Sequence, residues 1–147
     1  MRFRDLKFVA ATLGMLFLVE PAFPQTQASD LKRLLTKQGF CCWLKDDVTL
    51  TERGKMLCGS KSLRVIYYDH EDMHRFSGHG ARRLLFLEGN IYLGSYDISA
   101  IEGPPFKIEN NLILFPPQKE GGDRIECQAG ELPKNVLLNG DYPEFGK

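Results

Sequence analysis

Three apolar runs, Leu63–Tyr68, Arg83–Leu87 and Asn90–Ile98, with a turn-forming Glu88-Gly89-Asn90 between the last two, limit the fold of this chain more than any other feature. A strand that returns through two or three residues can pair with its predecessor only antiparallel, because a parallel partner needs a long crossover. Glu109-Asn110-Asn111 repeats the signal between Phe106–Glu109 and Leu112–Phe115, again with residues that tolerate positive φ. Arg124–Cys127 and Asn135–Leu138 extend the series. Pro104-Pro105 and Pro116-Pro117 mark strand ends, and Gly121-Gly122 marks a loop. Residues 46–59 read as a further hairpin, Val48–Thr51 and Met56–Cys58 about a turn at Glu52-Arg53-Gly54-Lys55. No strand–helix alternation points to a parallel sheet. The expectation is a mainly β domain: an antiparallel meander forming a strongly curved sheet or a small, partly open barrel, with a β-sandwich as the alternative. One short helix precedes it, capped by Ser29, with Leu31, Leu34 and Leu35 on one face and Gly39 as terminator.

Upstream of that helix the pattern is an address. Arg2, Arg4 and Lys7 precede the uncharged run Phe8–Val19, and Glu20 and Pro21 end it. A helix of that length rises about 18 Å against a hydrocarbon core of ~30 Å, so it reads as a secretory signal rather than a transmembrane anchor. Thr26-Gln27-Ala28 best meets the small-residue cleavage rule, which predicts a removed segment at 1–28 and a single domain at 29–147, periplasmic or secreted. The four cysteines, Cys41, Cys42, Cys58 and Cys127, agree with an oxidising compartment. A vicinal bridge needs a strained ring, so the expected pairing joins one of Cys41 and Cys42 to Cys58 and the other to Cys127.

Charge narrows the function. With 19 basic and 19 acidic residues the chain carries no electrostatic footprint for nucleic acid, and 26% charged with 11% aromatic residues excludes disorder. Arg75, His79, Arg82 and Arg83 cluster locally and could meet an anion, although adjacent acids balance them. In the strand from Asn90 to Ile98 a period of two puts Tyr92, Gly94, Tyr96 and Ile98 on one face. These tyrosines and arginines are the candidate contact surface for a protein partner or small ligand.

His70-Glu71-Asp72-Met73-His74 resembles the H-E-x-x-H spacing of zinc hydrolases. On a helix, His70 and His74 would ligate zinc one turn apart, Glu71 would act as general base, and His79 or Asp69 would be the nearest candidates for a third ligand. The longer metzincin pattern requires glycine at 77 and histidine at 80, where this chain has Ser77 and Gly80. Asp69, Asp72 and Arg75 crowd the segment with charge between two strands, which favours a solvated loop. The reading is a small exported, non-enzymatic binding domain with no cofactor. A minimal zinc-dependent hydrolase is the alternative.

Overall fold

The computed structural model describes residues 25–40, 44, 47–70, 82–101, 106–116 and 122–147. One helix, α1 (Gln25–Lys37), precedes β1 (Val48–Cys58), β2 (Lys61–His70), β3 (Arg82–Glu88), β4 (Ile91–Asp97), β5 (Lys107–Glu109), β6 (Leu112–Leu114) and β7 (Arg124–Glu126). The protein is mainly β, with two antiparallel sheets in the orders β1-β2-β3-β4 and β5-β6-β7. Consecutive strands are neighbours in both, as the two-residue turns after β1, β3 and β5 demand of three of the pairs.

Leu84-Leu85-Phe86-Leu87 in β3 are all fully buried, although successive side chains of a strand point to opposite faces. An unbroken apolar run of this kind requires cover on both sides. Leu85 and Leu87 pack with Ile66, Tyr68 and Tyr92 beneath Leu35 and Phe40 from the helical segment. Leu84 and Phe86 pack with Val65, Tyr67 and Tyr96 against Ile113, Phe115, Ile125, Val136 and Leu138. The four-stranded sheet is therefore the middle layer between a helix and a smaller sheet with its following segment.

The helix begins at Gln25, upstream of Ser29, so the expected cap lies inside it and so does the expected processing boundary after Ala28. Its end is as anticipated. Gly39 takes φ 80, with Gly39 N donating to Thr36 O at 3.3 Å and Phe40 N to Leu35 O at 3.0 Å, the paired bonds of a Schellman terminator. The next link reaches the sheet edge: Gln38 Nε2 donates to Asn90 O and Tyr92 N donates to Gln38 Oε1, each at 2.7 Å. One amide thus satisfies an outward backbone group of β4 and one of the turn before it.

Two bulges overturn local expectations. β1 runs straight through the residues expected to turn: Glu52 pairs with Ile66 and Gly54 with Val65, leaving Arg53 as the extra residue. The glycine that suggested a hairpin makes a bulge instead, and the actual turn is at Gly59, φ 62. In β4, Gly94 pairs with Phe86 and Tyr92 with Leu87, so Leu93 is extra and the alternation is broken. Tyr92 faces the helix, with its ring 5.5 Å from that of Phe40, whereas Tyr96 faces the second sheet, 4.9 Å from Phe145. The expected single tyrosine face does not exist, and both side chains are buried.

Gly94 is where the later chain closes on the sheet. A Cβ there would lie 2.7 Å from the Phe145 ring and 3.0 Å from Gly146 O. Ser95 N donates to Gly146 O at 2.8 Å and Gly146 N to Ser95 O at 3.2 Å, closing part of the β4 edge. Asn135–Leu138, expected as a strand, forms only isolated bridges, Asn135 with Glu144 and Leu138 with Asp141.

Cys58 is bonded to Cys127, with Cα atoms 5.4 Å apart and a sequence separation of 69. This corrects the expected pairing; Cys41 and Cys42 lie outside the described residues. The bridge forms because the end of β1 abuts the β5–β6 turn: Leu57 N donates to Asn110 O at 2.7 Å and Cys127 N to Asn111 O at 2.9 Å. Those contacts bring the two sulfurs together across the joint between the sheets.

Two stability outcomes are expected. Replacing both Cys58 and Cys127 by alanine lowers unfolding free energy by about 4 kcal/mol, the chain-entropy figure for a loop of this length, read by urea denaturation. Gly94→Ala costs about 1–3 kcal/mol through overpacking, and part of that loss disappears in a Phe145→Ala background, which removes the ring contact and leaves the one with Gly146 O.

Candidate functional site

β2 ends at His70 and β3 begins at Arg82, so the polar side chains flanking this connection collect at one end of the middle sheet. Glu71, His74, Arg75 and His79 lie outside the described residues. His70 is extended, opposite Val48 in β1, and its Nε2 is 2.8 Å from Asp47 Oδ2. Its place in a strand differs from the helical placement in which H-E-x-x-H ligands bind zinc. Among the described residues no group of three or more His, Cys, Asp or Glu side chains is disposed to hold a metal ion.

Arg82 and Arg83 are neighbours in sequence and are parted by the sheet. Arg83 shares the helix-side face with Tyr68 and Asp97, its cross-strand partners. Its Nη2 is 3.5 Å from Asp97 Oδ2, and Nη1 donates to Ser95 Oγ at 3.4 Å. Ser95 is buried and also accepts from the Tyr92 hydroxyl at 3.2 Å, so Tyr92 belongs to an internal polar link that holds the arginine. Among the described residues the buried Arg83 Nε has no hydrogen-bond partner.

Arg82 lies on the opposite face. It is tied to Ser99: its backbone N donates to Ser99 Oγ at 3.2 Å and its Nη2 to Ser99 O at 3.5 Å. Asp69 stands opposite it in the register, and the Tyr67 hydroxyl donates to Asp69 Oδ2 at 3.4 Å. Into the same corner comes Arg53, the bulge residue of β1, with its guanidinium carbon 5.4 Å from the Phe106 ring centroid. Phe106 in turn lies 6.1 Å from the Tyr67 ring. Burial, followed by the Asp69 charge, pushes the Tyr67 phenol from its ordinary 10.0 up to about 12, and the positive charges of Arg82 and Arg53 oppose that rise. Tyr96, donating to Pro133 O, is likewise raised by burial.

Arg53, Tyr67 and Phe106 were not singled out from the sequence. Arg-Gly within a strand is a bulge signal, but only the register shows which way the extra residue points. Elsewhere, a groove of about 370 Å³ runs between α1 and the sheet, lined in part by Leu31, Leu34, Leu50 and Asn90. Its polar floor is a closed pair: Arg64 donates from Nη2 and Nε to Glu52 Oε2 at 2.7 and 3.1 Å, and from Nη1 to Gly89 O at 3.2 Å. The described hydroxyl and acid groups of the loop end hold strands and guanidinium groups in place, and Asp47 and Asp97 stay partly exposed beside them.

No known protein family, curated protein or solved structure matches the chain.

The phenol of Tyr67 makes stability pH-dependent in a stated direction. The folded state holds this proton to about pH 12 and the unfolded state only to 10.0, so the contribution is complete below the lower value and is lost as pH rises through the higher. Urea midpoints should therefore fall over that alkaline interval. Tyr67→Phe should flatten part of the fall, with Tyr96 supplying a further part.

Proposed function

We propose that this chain is an exported, non-enzymatic binding domain that recognises its partner at the loop end of the middle sheet. The observation that carries the reading is the occupancy of both sheet faces. Tyr92 and Tyr96, expected to share a contact surface, are each packed in a separate filled core. A domain whose interior is filled with its own side chains recognises others through its rim and surface. Arg82 and Arg83 at the loop end, and Arg53 at the β1 bulge, are held by a ring, carbonyls, hydroxyls and a single acid contact.

Export is supported by two features. The basic and then apolar segment at residues 2–19 has the signal pattern, and Cys58 and Cys127 are positioned as a disulfide, a bond that persists in oxidising compartments. Among the described residues no helix is long and apolar enough to cross a membrane. The hydrolase alternative needs zinc at His70 and His74, and the hydrogen bond from His70 to Asp47 in a strand favours a structural role for that imidazole.

Zinc content and native mass spectrometry of the purified protein, beside a His70→Ala/His74→Ala double variant, separate the readings. The binding domain is expected to show no stoichiometric zinc and no enclosed small molecule. One zinc per chain, lost in the double variant, together with hydrolysis abolished by Glu71→Gln, would replace this reading with the hydrolase.

A further inference from the structure

We propose that Arg53 and Arg82 form a binding site for an oxyanion, a carboxylate or phosphate group, at the mouth between the two sheets. This deepens the binding-domain reading by naming the chemistry that the loop end selects.

The argument begins with what holds each guanidinium group. Arg53 leaves the ladder at the β1 bulge and lies over the Phe106 ring, a contact that orients the cation through the π face without neutralising it. Arg82 is anchored through Ser99, whose carbonyl accepts from Nη2 and whose hydroxyl takes the backbone N–H. Neither arginine has a carboxylate within ion-pair distance among the described residues. Their counterparts differ: Arg64 is closed by Glu52, and Arg83 faces Asp97. A guanidinium group held by neutral partners keeps donors free, and its planar fork suits the two oxygens of a carboxylate or phosphate.

The surroundings of the two arginines meet at Tyr67. Its ring approaches Phe106, which carries Arg53, and its hydroxyl bonds Asp69, the cross-strand neighbour of Arg82. Both guanidinium groups act electrostatically on this one phenol. Asp69 is the acid of the corner. The hydroxyl of Tyr67 holds its carboxylate, which opposes an arriving anion and tempers the net positive charge of the two arginines. The site is therefore expected to be of modest affinity and to strengthen when that carboxylate is removed. A purely structural role for the arginines would give no such gain.

The test is calorimetric titration of the protein with inorganic phosphate and with acetate, at constant ionic strength set by chloride. Both probes are expected to bind at one site, phosphate more tightly because of its higher charge. Arg53→Ala and Arg82→Ala should each weaken phosphate binding on the order of tenfold, the worth of a partly exposed charge-assisted hydrogen bond. Asp69→Asn should tighten it several-fold, with circular dichroism showing the fold retained in each variant. Failure of both probes to bind above the chloride background would overturn the proposal, as would undiminished binding in both arginine variants. The zinc measurement reads neither arginine, so loss of the binding-domain reading there is distinguishable from loss of this site here.

Discussion

Burial of the middle sheet on both faces is the constraint from which the rest of the structure follows. Leu84, Leu85, Phe86 and Leu87 are each fully covered, and burial of such side chains stabilises by roughly 1.5–3 kcal/mol apiece. That gain exists only while two separate layers stay in place. Each layer is accordingly fastened at the sheet's margin: α1 through the Schellman turn and the Gln38 amide on β4, and the second sheet through the Cys58–Cys127 bridge and the Asn110 and Asn111 contacts. The segment that carries Phe145 and Gly146 completes the cover, using the space that Gly94 leaves open.

The two bulges convert this packing into surface chemistry. An extra residue in one strand shifts which side chains share a face, and does so without disturbing the rest of the ladder. In β4 it parts Tyr92 from Tyr96, giving one aromatic anchor to each core. In β1 it frees Arg53 from the alternation and turns it toward Phe106. The first bulge distributes the two tyrosines between the cores, and the second places a cation over Phe106.

Electrostatics at the loop end is likewise organised by the sheet rather than by sequence proximity. Arg82 and Arg83 look like one basic patch in the sequence, yet the pleat sends them to opposite layers with different partners. His70 and Asp47 brace the start of β1 against the end of β2. The two cores are filled by the protein's own side chains, and a disulfide spans the joint of the sheets.

What was legible in the sequence is what local chemistry decides. Turn residues at Gly89-Asn90 and Asn110-Asn111 dictate antiparallel neighbours, Gly39 ends the helix by its left-handed backbone, and β-branched and aromatic runs mark most strands; mainly β with one helix follows from these alone. What tertiary structure decided is whatever depends on two distant segments meeting. Gly54 could equally have been a turn or a bulge, and only pairing with Val65 selects the bulge. Four cysteines admit several bridges, and only the approach of β1 to the β5–β6 turn joins Cys58 to Cys127. Arg53 and Arg82 stand far apart in the chain, and the surroundings of both reach Tyr67 only because two layers pack over that tyrosine. Dihedral and turn preferences act over a few neighbouring residues and are written locally, whereas bulge register, bridge choice and side-chain convergence are set by burial summed over the whole domain.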